Sequence, residues 1–137
     1  MNRRSNLLPE LSGVYRSPPD AAAVQAQAVT GGASVASADL DAIRSKRELL
    51  DTLAAALALP KSFGRNWDAL SDCLQDLPVP EPGWVLHLRR ASALQQALGS
   101  EWLTLLEILR DAAIYWKERG RAFVVFIDDA IELPRWR

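Results

Sequence analysis

The sequence predicts an α/β fold in which a small parallel sheet of three or four strands is flanked by helices in a single compact domain. Short apolar runs alternate along the chain with segments of helical periodicity, which is the pattern of βαβ units. Two of those runs, WVLHL (84–88) and AFVVFID (122–128), are almost continuously apolar, as strands covered on both faces are. A length of 137 residues with 49% hydrophobic composition suits one domain with a sizeable core.

Residues 1–32 are predicted to form an N-terminal extension that packs on a domain covering residues 33–137. The GVYRS segment (13–17) predicts a strand, which two prolines close. An alanine-rich helix follows. Asp20 is placed to cap this helix, and a Gly-Gly pair ends it.

The next segments predict one strand and one helix. ASVASADL (33–40) alternates small or apolar residues with polar ones, as a half-buried strand does. From residue 45 to 57, leucines share one face of a predicted helix, and Pro60 stops it. These leucines are Leu49, Leu50, Leu53 and Leu57. The next segment, KSFG (61–64), is predicted to be a connector.

A second helix is predicted to begin where Asn66 is placed to cap it. Prolines in the PVPEPG segment (78–83) then exclude regular structure, and a strand is predicted over 84–88. The apolar face of the helix comprises Trp67, Leu70, Cys73, Leu74 and Leu77.

The C-terminal third predicts a short helix over 91–98 and a long helix over 101–119, which Gly120 ends. AFVVFID (122–128) predicts the last strand. The tail ELPRWR is either an ordered appendage or a loose end, and its composition favours neither. The apolar stripe of the long helix comprises Trp102, Leu105, Leu106, Leu109, Ala113 and Trp116, of which the first four are expected to be core residues.

Composition and charge exclude several classes of function. Sixteen basic and seventeen acidic side chains give a formal charge of −1, so no polybasic field indicates direct nucleic-acid binding. No run approaches the roughly 20 apolar residues that cross a membrane, and no signal peptide is evident, so a cytoplasmic location is expected. A single cysteine excludes an internal disulfide and the common cysteine-based metal sites. We expect no cofactor and no metal.

One acidic stripe stands out from this balanced composition. Asp68, Asp72 and Asp76 recur every four residues, so they share one helix face opposite the apolar one. From Asn66 to Leu88 the chain has no lysine or arginine that could neutralise them. The stripe is either a solvated face or a patch that binds a strongly cationic partner.

The segment LALPKSFGRNWDALSDCLQDL (57–77) resembles the signature segment of the barstar family, which comprises intracellular protein inhibitors of small secreted bacterial ribonucleases. The resemblance extends less sharply over residues 34–128. Residues 1–32 look like an extension found in a larger branch of that family. The fold that the resemblance implies is a small parallel sheet flanked by helices.

The resemblance also implies a partner-binding site. By analogy with the family, Asp72 would enter the nuclease active site in the place of a substrate phosphate. Asp68 would pair with a neighbouring cation of the enzyme, and Asn66 and Gly64 would shape the contacting loop. Asp111 is the nearest match to a carboxylate that the family uses on the long C-terminal helix.

The sequence departs from the family pattern at two aromatic positions. Ser62 stands in the loop where the family's best-known member has a tyrosine, and Ser71 stands between the two aspartates in place of a tryptophan. Aromatic residues often dominate binding energy, so a different partner or weaker binding is implied. Lys61 and Arg65 also add positive charge to the loop.

These observations predict a non-catalytic inhibitor of the immunity or antitoxin type. Its partner would be a cognate small basic ribonuclease, and the free protein would be monomeric. The alternative is an acidic adaptor that binds a basic protein other than a nuclease. A hydrolase that uses Asp68 and Asp72 is disfavoured because no second catalytic group or apolar pocket accompanies the pair. No catalytic residue is therefore assigned.

The remaining chemically active side chains are expected to be structural. His87 lies within an apolar strand and is predicted to be a hydrogen-bonded core histidine. Cys73 falls on an apolar helix face, where it would pack as a small hydrophobe. Tyr115 and Trp116 are either core or part of a partner surface. The arginines at 89–90 either snorkel or face solvent, and they form too small a patch to indicate RNA binding.

Overall fold

The computed structural model describes residues 7–136, and its strands and helices alternate along the chain as predicted. The strands are β1 (Gly13–Arg16), β2 (Ser34–Asp39), β3 (Gly83–Arg89) and β4 (Ala122–Ile127). The helices are α1 (Ala21–Thr30), α2 (Lys46–Ala56), α3 (Trp67–Gln75), α4 (Ser92–Leu98) and α5 (Ser100–Lys117). A short 3-10 helix over Pro9–Leu11 precedes β1 and was not predicted.

The four strands form one parallel sheet in the order β1-β4-β3-β2. In the register of the two central strands, Leu86 of β3 lies opposite Val125 of β4. All residues of β4, and all of β3 except its last, are buried. This burial explains why both segments are nearly continuously apolar, and the predicted α/β fold with a small parallel sheet is confirmed.

The two faces of the sheet carry cores of unequal size. Alternate residues of the central strands, such as Leu86 and Val125, face the main core beneath α2, α3, α4 and α5. The residues between them, such as Val85 and Val124, face a smaller cluster that α1 covers with alanines. The main core is rich in leucines, which include Leu49, Leu50, Leu53, Leu70, Leu74, Leu94, Leu105 and Leu109.

Two helices begin with a side-chain cap. The Ser45 hydroxyl accepts a hydrogen bond from the backbone N–H of Glu48 at the start of α2. The Asn66 side chain accepts one from the N–H of Ala69 at the start of α3, which confirms the predicted cap. The predicted cap at Asp20 is wrong: this residue precedes α1, but its side chain makes no capping bond. Its φ and ψ of −103° and 34° depart from the extended conformation of a capping residue.

The second predicted helix ends earlier than its apolar pattern indicates. α3 stops at Gln75, and Asp76 occupies the C-cap position, so the third aspartate of the stripe lies just beyond the helix. Leu77 is nevertheless buried, because the chain turns it into the core after the helix has ended. An apolar position can therefore extend a helical pattern without belonging to the helix.

Up to Trp136 the C-terminal tail is an ordered appendage, which decides between the two alternatives left open above for the described part of the tail; Arg137 lies outside the described residues. Arg135 forms a parallel bridge with Arg16 of β1. Trp136 packs edge-on against Tyr15 and Phe126, with ring centroids 5.1 and 5.0 Å apart. The tail thus lies beside β1, and the boundary at residue 33 between extension and domain stays a prediction.

Candidate protein-binding site

α3 is held in place by its apolar face. Leu70 and Leu74 are fully buried, and α3 packs against α5. The indole Nε1 of Trp116 on α5 donates a hydrogen bond to the backbone oxygen of Leu74 at 3.0 Å. These contacts fix one face of α3 against the protein, and the opposite face is left to solvent.

The solvent face of α3 carries carboxylates without internal partners. Asp68 and Asp72 are exposed and lie one helical turn apart, and Asp76 is exposed at the C-cap. Within residues 7–136, no ion pair or side-chain hydrogen bond includes any of the three. Only Asp68 lies in the first turn, where the helix dipole favours an anion.

Two cations near α3, Lys46 and Arg65, have partners other than the aspartates of the stripe. Lys46 of α2 lies over the ring of Trp67, 5.1 Å from its centroid, and its Nζ is 3.9 Å from an oxygen of Glu101. The Nε of Arg65 lies 2.6 Å from Oδ1 of Asp51. Arg65 adds charge to the loop, as the sequence indicates, but a carboxylate of α2 neutralises that charge.

In the loop before α3, one residue is buried and the residues on either side of it are exposed. Phe63 is buried, and its N–H donates to the backbone oxygen of Pro60. Ser62 and Gly64 on either side of it are exposed. Asn66 is exposed as well, but its side-chain oxygen is used by the helix cap. The loop therefore offers small exposed residues to a partner and no aromatic side chain.

The remaining predicted site residues lie around the stripe. Ser71 is half-buried on α3, between the two aspartates. Asp111 is exposed on α5, five positions before Trp116, which ties α5 to α3. The structure thus places Asp111 on the helix that packs against α3. The partner-binding role of the predicted residues stays a prediction.

Three contacts that support this surface escaped the sequence analysis. They are the cation–π contact of Lys46 with Trp67, the ion pair of Arg65 with Asp51, and the hydrogen bond of Trp116 to Leu74. The last two join residues 14 and 42 positions apart. No local spacing signals such pairs, because they arise only when α2, α3 and α5 pack together.

Trp116 and Tyr115, left open between core and partner surface, differ in their surroundings. Trp116 is half-buried against the main core and hydrogen-bonded to α3, so its role is structural. Tyr115 is half-buried and contacts the guanidinium of Arg119, which lies 3.5 Å from its ring centroid. The ring of Tyr115 also meets that of Trp116 edge-on.

Cys73 and His87 are packed as predicted. Cys73 is half-buried against the main core, and burial raises the pKa of its thiol, with Asp76 and Asp72 adding to the rise. His87 is buried, and its Nε2 lies 2.8 Å from Oδ1 of Asp128. Both side chains therefore have structural surroundings rather than those of a nucleophile or base.

A second acidic group lies where the sheet strands end, and we call it the sheet-end cluster: Asp39, Asp41 and Asp128 with Arg89, Arg90 and His87. The guanidinium of Arg90 donates two hydrogen bonds to Asp39 and lowers the pKa of that carboxyl to about 2. Arg89 and Arg90 thus pair with carboxylates, which was not predicted.

Asp128 belongs to the same cluster. Burial alone would raise the pKa of Asp128, but its interactions with the Ser17 side chain, with His87 and with the backbone N–H of Arg90 hold it below its usual value. Every carboxylate of the sheet-end cluster therefore has an arginine or histidine partner within the chain.

Residues 7–136 contain neither a membrane-crossing helix nor a cluster of metal-ligating side chains. No helix in this part of the chain is long and apolar enough to cross a membrane. No group of three or more histidine, cysteine, aspartate or glutamate side chains there could hold a metal ion.

A small α/β protein with an exposed helix face of carboxylates that are unpaired within residues 7–136 has the features of a protein-binding module. The chain belongs to the barstar family: the family model described as Barstar (barnase inhibitor) matches residues 33–128. That match runs from the residue before β2 to the residue after β4 and includes α3. Members of the family are inhibitors, not enzymes. A search of curated proteins found no significant match.

Proposed function

We propose that this protein is a non-catalytic inhibitor, of the immunity or antitoxin type, that binds and blocks a small basic ribonuclease. The observation that carries the proposal is the pair Asp68 and Asp72, exposed on one face of α3 without a counter-ion within residues 7–136. It would act as a monomer in the cytoplasm, and its family membership supports a ribonuclease as the partner.

The mechanism is substrate mimicry. A ribonuclease active site holds cationic groups that bind the phosphates of RNA, and the two carboxylates present anions about 5 to 6 Å apart at their Cβ atoms. Asp72 occupies the phosphate position, Asp68 pairs with a neighbouring cation, and Asp76 extends the negative surface. The loop residues Ser62 and Gly64 contact the rim of the enzyme.

Preorganisation favours this mechanism. α3 is capped by Asn66 and fixed on α5 by buried leucines, so its aspartates need no backbone ordering when a partner binds. The guanidinium of Arg65 is turned to Asp51, which reduces its repulsion of a cationic enzyme. The electrostatic surface is thus built before the encounter.

The absence of aromatic anchors affects the kind of complex expected. Ser62 and Ser71 supply no large apolar surface, so charge contributes more of the binding energy than in an interface centred on buried aromatic residues. Such a complex depends more strongly on salt, because exposed charges are screened over about 8 Å at physiological ionic strength.

Inhibition of a purified nuclease tests the proposal. The partner is a small basic ribonuclease produced by the same cells, and RNA cleavage is measured as the inhibitor is titrated. We expect Asp72→Ala to weaken inhibition at least about thirtyfold, since a hot-spot residue contributes roughly 2 kcal/mol or more.

Glu132→Ala is the matched control, because Glu132 is an exposed carboxylate in the tail. The control should inhibit like the unmodified protein. If both substitutions have equal, negligible effects, the proposed function is wrong. Capture of a basic protein that lacks nuclease activity, lost on Asp72→Ala, would instead favour an acidic adaptor.

A further inference from the structure

A cavity of about 310 Å³ opens where β1 ends and the C-terminal tail returns. The N–H of Ser17 bonds the backbone oxygen of Ile127, so the cavity lies beside the carboxyl ends of both β1 and β4. It is lined by Arg16, Ser17, Pro18, Pro19, Arg135 and Trp136. These residues all lie outside the family match at 33–128, so the proposed inhibitory function does not use them.

Two arginines from paired backbone positions line this cavity. Arg16 and Arg135 face each other in a parallel bridge, and both line the cavity. The backbone N–H and the Nε of Arg16 donate to the backbone oxygens of Pro134 and Leu133, so one guanidinium donor is used and the two terminal NH2 groups are left for a ligand. Two positive charges that line one cavity favour an anion there.

The chain does not supply that anion within residues 7–136. No carboxylate there lies within ion-pair distance of either guanidinium, whereas Arg90 and Arg121 each have such a partner. The carboxylate that follows β4, Asp128, interacts with Ser17 of the cavity wall, but its two oxygens are bonded to His87 and to the N–H of Arg90. Neither Arg16 nor Arg135 is therefore ion-paired within residues 7–136.

The volume and the aromatic lining of the cavity are typical of a small-molecule site. Its volume lies at the lower end of the range of about 300 to 1,000 Å³ that is typical of ligand pockets. Trp136 forms one wall and is fixed by edge-on contacts with Tyr15 and Phe126. In open parallel sheets, ligands commonly bind beyond the carboxyl ends of the strands.

We propose that this cavity binds the phosphate group of a small ligand through Arg16 and Arg135. A guanidinium donates two parallel hydrogen bonds to phosphate oxygens, and two adjacent guanidiniums match the charge of a phosphate dianion. A free phosphate ion and a mononucleotide share this chemistry. In the nucleotide case Trp136 provides an apolar surface beside the base.

Calorimetric titration of the full chain with inorganic phosphate, AMP and adenosine tests this inference. We expect phosphate or AMP to bind with a Kd of roughly 1 mM or tighter, and adenosine to show no binding. Arg135→Gln should weaken binding at least about tenfold. Arg135 is exposed and its side chain has no hydrogen bond within residues 7–136, so this substitution should leave folding intact.

Two further variants sharpen the result. Arg16→Lys keeps the charge but removes the forked donor, so it should also weaken binding. Arg110→Gln removes an exposed arginine of α5 and should change nothing. Stronger binding of AMP than of phosphate assigns a nucleotide, and equal binding assigns the free ion. The inference is overturned if neither phosphate nor AMP binds, or if the Arg135 and Arg16 variants bind like the unmodified chain.

Discussion

The acidic stripe of α3 and the sheet-end cluster both contain several aspartates. Within residues 7–136, the aspartate side chains of the cluster have hydrogen-bond or ion-pair partners and those of the stripe do not. In the cluster, Asp39 and Asp128 each accept hydrogen bonds from a cationic or histidine side chain. On α3, Asp68 and Asp72 have no such partner within residues 7–136. The same residue type is thus used for internal pairing at one place and left unpaired at the other.

The difference identifies which carboxylates are available to a partner. A paired carboxylate would have to break internal bonds before it could bind another protein, whereas an unpaired one gives up only water. Repulsion between Asp68 and Asp72 weakens an isolated helix by a few tenths of a kcal/mol, which a cationic partner would relieve. The first group should therefore affect stability, and the second group should affect binding.

The largest expected effect is on affinity. The double variant Asp68→Asn/Asp72→Asn should lose at least about 3 kcal/mol of binding energy for the cognate ribonuclease, which is more than a hundredfold in Kd. Its free energy of unfolding should change by less than about 1 kcal/mol, because the repulsion removed within the helix is offset by the lost interaction of Asp68 with the helix dipole. Calorimetric binding and chemical denaturation measure both quantities. A loss of stability as large as the loss of affinity would remove the distinction.

The next effect concerns stability and should leave binding unchanged. Asp128→Ala deprives the buried His87 ring of its hydrogen-bond partner, which should lower the free energy of unfolding by about 1 to 3 kcal/mol. Urea denaturation gives the value, and inhibition of the ribonuclease is the control. Weaker inhibition by this variant while it is fully folded would place the sheet-end cluster in the interface.

The third prediction concerns the rate of association, and the expected effect is smaller than the two above. Raising the salt concentration from about 50 to 500 mM should slow association with the ribonuclease roughly tenfold, because screening weakens the attraction of the exposed stripe. Stopped-flow measurements give the rate. Asp68→Asn/Asp72→Asn should flatten this dependence, and an equally steep dependence in that variant would mean that other charges steer the encounter.

The smallest effect is a change of stability in acid. The pKa of Asp39 is lowered to about 2, so its contribution is present above the ordinary carboxyl value near 4 and is lost as the pH falls towards 2. Between pH 4 and 2, the unmodified chain should therefore lose more stability than Asp39→Asn does. Parallel pH-dependent denaturation curves for the two proteins would show that Arg90 does not stabilise the ionised carboxyl.

Much of the fold could be predicted because its signals are local. The apolar runs of β3 and β4 and the cap at Asn66 depend on neighbouring residues alone, and the structure confirms them. Asp20 shows the limit of such signals: a capping residue type stands at the right place, but the turn that follows two prolines holds it in another conformation. The chain also buries Leu77 after α3 has ended, so its apolar pattern overstates the length of the helix.

The candidate site likewise has some features that local sequence signals predict and others that depend on tertiary packing. The four-residue spacing of Asp68 and Asp72 predicts a shared face, and both side chains are exposed. Neutralisation of Arg65 by Asp51 could not be predicted, because it depends on how α2 meets the loop. The cavity between Arg16 and Arg135 depends on the return of the tail to β1, which no spacing in the sequence encodes.

Mapping the interface by NMR tests the central claim most directly, namely that the unpaired carboxylates of α3 meet the partner. Backbone amide signals of the labelled chain are followed as the cognate ribonuclease is added. We expect the largest changes over residues 62–76 and no comparable change at Asp39, Arg90 or Asp128. Changes centred on the sheet-end cluster, with the signals of α3 unmoved, would contradict the account.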